Sequence, residues 1–274
     1  MHGKWRIGVA AGLAMAALAA MPAAAAMKTQ PVEWTLDGTT FSGVLVYDAD
    51  EDDVRPGLVM VPNWKGVNAS AIEKAKQLAG DDYVVLVADV YGKDVRPKTD
   101  AEAGPVATKL RNDRPVLRAR AQKAVDILKA QAGKVPLDAT RIGAVGFCFG
   151  GTTVLELARA GSQLAGVVSL HGGLTSPLPA KAGGTHAPVL VLNGADDKSV
   201  SAEDIAGFEK EMNAAEVDWQ FINYSGAVHC FAEADANSPP GCQYNERAAK
   251  RAWKALDVFF EERFDQAAAT ARSR

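Results

Sequence analysis

Short, uninterrupted apolar runs recur along the chain and are separated by segments with helical periodicity. Gly57–Val61, Tyr83–Ala88, Ile142–Val145, Leu164–Leu170, Val189–Leu192 and Trp219–Asn223 read as strands. None of them alternates apolar with polar, so each is expected to be buried on both faces. Between them, Ala69–Ala79, the stretch carrying Leu117, Ala121, Val125, Ile127 and Leu128, Thr152–Arg159, Ala202–Ala215 and Tyr244–Phe264 read as helices. Strands alternating with helices predict a mostly parallel sheet covered on both sides. Near the start, Val32–Leu36 and Phe41–Tyr47 flank Asp37-Gly38, a strong hairpin signal. Asp48–Asp53, Arg96–Gly104 and Pro177–Pro188 read as polar or Pro/Gly-rich connections, and the Ala/Arg tail beyond Phe264 as frayed.

In sheets of this kind the site lies at the carboxyl ends of the strands. Asn63, Asp89, Cys148, His171, Asp197 and His229 all follow strands and are drawn to that edge. The stretch around Cys148 is the most informative. Gly146-Phe147-Cys148-Phe149-Gly150 joins a buried strand to a helix and has the nucleophile-elbow form G-x-Nuc-x-G, with Cys as the nucleophile. A strained turn needs small neighbours two residues away. It also lifts the thiol to a helix N-terminus, where unpaired N–H groups favour a thiolate and any oxyanion formed beside it. A structural Cys beside a packing turn would not require glycine on both sides.

Composition narrows the rest. With 274 residues, 48% of them hydrophobic, the chain suits one substantial α/β domain over residues 27–274. Basic residues are dispersed and outnumbered, giving a net charge of −3, so nothing suggests a nucleic-acid partner. Lys4 and Arg6, an apolar run from Ile7 to Ala20 and the A-x-A at Ala24–Ala26 describe a secretory signal peptide over residues 1–26. Its removal takes the charge from −3 to −5, since it carries those two cations and no acid. The run is short for a membrane span, so a periplasmic or secreted protein is expected. In an oxidising compartment three cysteines suggest one bridge and one free thiol; with Cys148 free, Cys230 and Cys242 remain as the pair.

A thiol at an elbow needs a base and a group that orients it. In α/β-hydrolases the triad runs nucleophile, acid, base along the chain. His229 follows Asp196-Asp197 and obeys that order; His171 does not and is expected to line the pocket. Between Asp196 and Asp197 the spacing alone does not choose.

Five segments in register resemble the dienelactone hydrolase family of α/β-hydrolases: V-M-V-P-N-W-K-G-V-N, A-D-V-Y-G-K, G-F-C-F-G-G, N-G-A-D-D-K-S-V and Y-S-G-A-V-H-C-F. The likeness spans roughly Pro31 to Phe264. It implies an α/β-hydrolase fold and hydrolysis of a small-molecule ester or lactone through a Cys-His-Asp triad, without metal or cofactor. The family's G-x-x-D-x-x-V pattern falls on Gly194, Asp197 and Val200 and so selects Asp197, with Cys148 as nucleophile and His229 as base. The N–H groups of Phe149 and Trp64 would form the oxyanion hole.

The departures from the family concern the substrate. Where the family has a glutamate near the resting cysteine this chain has Asn63, and where it has two substrate-binding arginines it has Lys93 and Glu233. Tyr91 matches the family's aromatic in the same loop. A point charge at Lys93 and a carboxylate at Glu233 predict a shift toward neutral esters, with Asn63, Tyr91, Lys93 and His171 as pocket residues. The same departures suit an alternative, a non-catalytic scaffold that binds a ligand. The sequence leaves the oligomeric state open.

Overall fold

A computed structural model describes residues 27–50, 53–80, 82–184 and 187–272. The signal segment and His186 lie outside these residues. The strands are β1 (Met27–Leu36), β2 (Thr39–Asp48), β3 (Arg55–Val61), β4 (Val84–Val87), β5 (Leu137–Phe147), β6 (Val167–Leu170), β7 (Val189–Gly194) and β8 (Trp219–Tyr224), with a two-stranded ribbon of β9 (Asn237–Ser238) and β10 (Cys242–Gln243). The helices are α1 (Ala69–Ala79), α2 (Asp100–Asn112), α3 (Arg114–Lys129), α4 (Phe149–Arg159), α5 (Ala202–Ala214) and α6 (Glu246–Arg272).

Eight strands form one sheet in the order β1-β2-β4-β3-β5-β6-β7-β8. β1 pairs antiparallel with β2, and β2 antiparallel with β4; every later pair is parallel. This is the mostly parallel sheet that the apolar runs predict, in the α/β-hydrolase fold that the resemblance implies. The hairpin turns where expected, with Asp37 at φ 49° and Gly38 at φ 74°, the left-handed pair that matches the strands' twist.

One face of the sheet packs against α2, α3, α4 and α5 through residues such as Leu110, Leu117, Leu128, Val154 and Phe208. The other packs against α1 and α6 through Leu78, Leu256 and Phe260. Phe260 approaches the backbone so closely that a Cβ on Gly143 would lie 2.6 Å from its ring.

Two expectations need correction. The Arg96–Gly104 connection gives way to α2 from Asp100 onward. Thr99 caps that helix by accepting from Glu102 N–H, while the Glu102 carboxylate accepts from Lys98 N–H. Thr99-Asp100-Ala101-Glu102 is thus a helix start that Gly104 and Pro105 obscure in the sequence. The loop after β8 contains the β9–β10 ribbon. The closing helix runs on to Arg272, as the strong helix preference of its alanines favours.

Candidate active site

Strand β5 ends at the elbow. Cys148 has φ 53° and caps α4 at its N-terminus. The flanking glycines are sterically required: a Cβ on Gly146 would lie 2.1 Å from Gly150 O, and one on Gly150 would lie 1.9 Å from Val61 O. Cys148 N–H donates to Leu170 O at 2.9 Å and reaches His171 Nδ1 at 3.2 Å. The elbow is therefore tied to the end of β6.

The sulfur lies 3.0 Å from His229 Nε2, and His229 Nδ1 lies 2.7 Å from Asp197 Oδ2. The three groups come from the ends of β5, β7 and β8. Asp197 is buried, whereas Asp196 is exposed, so of the two it is Asp197 that the fold brings to His229. Ser199, which the sequence reading missed, donates its hydroxyl and its N–H to Asp197 Oδ1 at 2.7 and 2.9 Å. Its only sequence signal is its place two residues after the acid, where a tight turn returns Ser or Thr to an Asx side chain.

The electrostatics suit proton exchange. Burial opposes charge on His229, but the Asp197 carboxylate and the Cys148 sulfur outweigh it and push its pKa up to about 10. Burial likewise disfavours the Asp197 carboxylate, yet hydrogen bonds from His229 and Ser199 hold its pKa below the usual carboxylate range. Asp197 thus stays ionised and keeps the imidazole oriented.

Cys148 and His229 open onto a cavity of about 380 Å³. Asn63, Trp64 and Lys65 from the loop after β3 form one wall. Cys230, Glu233, Asp235, Asn237, Ser238 and Cys242 from the loop after β8 form another, which meets the first at Asn63 and Glu233. The latter wall is closed by a Cys230–Cys242 disulfide, with Cα atoms 5.0 Å apart, and Cys148 is free. Gln243 N–H donates to His229 O at 3.0 Å, so the bridged loop is anchored on the histidine's own backbone.

Among the described residues no protein acceptor is found for the N–H of Trp64 or of Phe149, and both flank the elbow. Tyr91, His171 and Lys93 do not border the cavity. Tyr91 is buried behind the wall, where its hydroxyl donates to Trp64 O at 2.9 Å and its ring packs on Phe149. His171 is fully buried beneath the elbow. Lys93 points away to Glu33, 2.7 Å distant, because β1 runs beside its loop. Glu233 does line the cavity, but its carboxylate is compensated: Asn63 Nδ2 donates to it at 2.6 Å and Lys74 Nζ lies at 3.1 Å. Asn63 also turns its own loop by accepting from Lys65 N–H.

A cation missed by the sequence reading stands at the cavity wall. Arg111, on α2, has its guanidinium 5.6 Å from the Phe149 ring centroid, and no carboxylate among the described residues pairs with it. The other lining charges are matched: Lys65 with Asp100, and Asp235 with Lys74. Only recognition of α2 as a helix would have shown that Arg111 faces the site.

Residues 42–264 match the dienelactone hydrolase family. The chain belongs to that family. A solved structure designated m3DLH is 38% identical and superimposes with a TM-score of 0.81, covering 87% of this chain and 99% of that one. A dienelactone hydrolase-like promiscuous phosphotriesterase from metagenomic libraries is 37% identical over the same shares, again at a TM-score of 0.81. A curated relative from Bradyrhizobium, named as a probable 2-oxo-3-(5-oxofuran-2-ylidene)propanoate lactonase, is 29% identical over 85% of this chain and 95% of its own length. This dienelactone hydrolase family member is a hydrolase of ester or lactone bonds.

Proposed function

We propose that the protein, as one domain over residues 27–274, hydrolyses a small ester or lactone through Cys148, His229 and Asp197. The observation that carries this reading is the continuous hydrogen-bonded series from Asp197 through His229 to the Cys148 sulfur on the cavity floor. Cys148 attacks the carbonyl carbon as a thiolate, its proton held on His229. The N–H groups of Phe149 and Trp64 receive the developing oxyanion. Collapse of the tetrahedral intermediate expels the alcohol oxygen, which takes the proton from His229 and leaves a thioester on Cys148. Forming that thioester removes the sulfur's negative charge, one of the influences that raise the His229 pKa. The ring can then accept a proton from water, and hydroxide addition releases the acid and restores the thiol.

The disulfide in the cavity wall supports an oxidising compartment, reached through cleavage of the basic-apolar leader after Ala26. Among the described residues no helix is long and apolar enough to cross a membrane. The test is a panel of 4-nitrophenyl esters and lactones offered to the mature chain. Turnover abolished by Cys148→Ala is expected. Failure to turn over any of them would return the chain to a ligand-binding scaffold.

A further inference from the structure

A second carboxylate–imidazole pair lies beside the first and engages the backbone of the nucleophile rather than its sulfur. His171 is fully buried, and its Nδ1 accepts at 3.2 Å from the Cys148 backbone N–H, which it shares with Leu170 O at 2.9 Å. An accepting Nδ1 places the ring's proton on Nε2. Among the described residues that atom has no hydrogen-bond partner, and 3.9 Å away lies Glu233 Oε1, also buried and likewise without one among them. Glu233 is aimed by its other oxygen, which Asn63 Nδ2 and Lys74 Nζ engage. Two buried, complementary atoms facing each other just beyond hydrogen-bond length are an open contact that about 1 Å of side-chain movement closes.

We propose that His171, backed by Glu233, is a positioning residue for the nucleophile, holding the elbow backbone of Cys148 in its strained conformation. The role rests on the hydrolase reading only in that Cys148 is the reacting group. Glu233 selects the Nε2–H tautomer, the one form of the neutral ring that leaves Nδ1 free to accept. The ring's other neighbours fit a neutral, oriented imidazole. It meets His229 edge-on at 5.2 Å and packs against Phe231 and Phe147. Burial, followed by the nearby His229 charge, pushes the His171 pKa well below its ordinary value. A neutral ring spares His229 a second positive charge at that distance. In sequence terms this explains why a histidine outside the triad order directly follows β6, and why Glu233 and Asn63, which look like losses of family residues, occur together.

The test compares His171→Leu, His171→Asn and Glu233→Gln in the full mature chain. Two readouts are used: ester turnover, and the rate at which iodoacetamide alkylates Cys148, which needs no substrate. His171→Leu should lower kcat about a hundredfold with KM within threefold, and slow alkylation at least tenfold. His171→Asn places an acceptor oxygen near the Nδ1 position and should restore both rates to within tenfold of wild type. Glu233→Gln should slow wild type several-fold but add nothing in the His171→Leu background. Equal losses in the Leu and Asn variants, or a Glu233→Gln effect that persists without His171, would overturn the proposal. Histidine ¹⁵N NMR of the unaltered protein is independent of how the variants fold. It should show His171 protonated on Nε2, and a proton on Nδ1 would equally overturn the idea. If wild type hydrolyses no ester while alkylation and NMR behave as stated, the hydrolase reading fails and the positioning role stands.

Discussion

The proton-handling half of the cavity and its substrate-facing half are built by different means. Cys148, Asp197 and His229 each follow the carboxyl end of a strand, and each is held within a few residues of a parallel ladder. The substrate-facing half comprises Asn63, Trp64, Arg111 and Glu233, drawn from two loops and the side of a helix. Strand ends inherit their position from the sheet, so the first half needs only short ties, such as Cys148 N–H to Leu170 O and Ser199 to Asp197, to fix it. The second half depends on long-range ties such as Asn63 to Glu233 and Tyr91 to Trp64. On the proposed function, chemistry would sit on the scaffold, and selectivity on what the scaffold carries.

Breaking the first half should have the largest effect. His229→Ala is expected to lower kcat/KM at least ~10³-fold, about 4 kcal/mol of transition-state stabilisation, with an unchanged far-UV spectrum. A loss below tenfold in steady-state assays would remove His229 from the mechanism. The same residue sets the pH dependence. Its folded pKa of about 10 lies above the ordinary 6.5. Its contribution to stability is therefore fully present below about 6.5 and is lost as pH rises toward 10. Thermal melts of wild type should show the midpoint falling through that window more steeply than in His229→Ala. A midpoint rising between neutral pH and 10 would contradict the sign.

The bridge joins the two halves, because it closes the loop that begins one residue after His229. Its loop is short, and the chain-entropy model gives ~2–3 kcal/mol for its closure. Replacing Cys230 and Cys242 together by Ala should reduce denaturant-derived stability by about that amount, with the slope of unfolding little altered. Turnover should fall as well, since the loop carries one cavity wall. Stability equal to wild type in non-reducing buffer would show that the bridge constrains nothing.

How far the site was legible in the sequence follows the same division. The elbow glycines, the strand ends and the order Cys148, Asp197, His229 are local signals, and the structure brings those side chains within hydrogen-bond reach. The choice of Asp197 over Asp196 needed either the family pattern or the observed burial. Reading Tyr91, Lys93 and His171 as pocket residues failed on direction: a position in a site-edge loop does not say which way its side chain faces. Lys93 turned to Glu33 because β1 pairs alongside, a contact between residues 60 apart in number. Glu233 was read as a bare charge because Lys74, on α1, is far away in the chain. Arg111 stayed hidden with α2, whose Gly104 and Pro105 weaken the pattern of a helix that Thr99 and Glu102 start.

Arg111 gives a sharper test of the substrate-facing half. The shift toward neutral esters was argued from Lys93 and Glu233, yet one lies outside the cavity and the other is compensated. An arginine at the wall without a carboxylate partner among the described residues should favour substrates carrying a carboxylate, by roughly 1–2 kcal/mol for a partly solvated charged hydrogen bond. Comparing 4-nitrophenyl pentanoate with mono-4-nitrophenyl glutarate isolates that charge at equal chain length. Arg111→Gln should reduce the glutarate-to-pentanoate ratio of kcat/KM about tenfold, near 1.4 kcal/mol. An unchanged ratio would remove Arg111 from selectivity.

The smallest effect is expected at Lys93, and it bears directly on the comparison of the two halves. Lys93 occupies the position of a substrate-binding arginine in the family resemblance, but its ammonium lies 2.7 Å from Glu33 and both side chains are about half exposed. Exposed pairs of this kind contribute little and are screened by salt. Lys93→Gln should therefore leave the glutarate-to-pentanoate ratio within twofold of wild type, at low and at physiological ionic strength alike. The contrast with Arg111→Gln is the informative quantity, because both substitutions remove one positive charge. If long-range attraction set selectivity, the two variants would shift the ratio alike, and both shifts would fade with salt. If contact inside the cavity sets it, only Arg111→Gln moves the ratio, and the shift persists as salt is raised. A tenfold change in the Lys93 variant would mean that its loop swings toward the substrate, and that the position read from the resemblance holds in the complex.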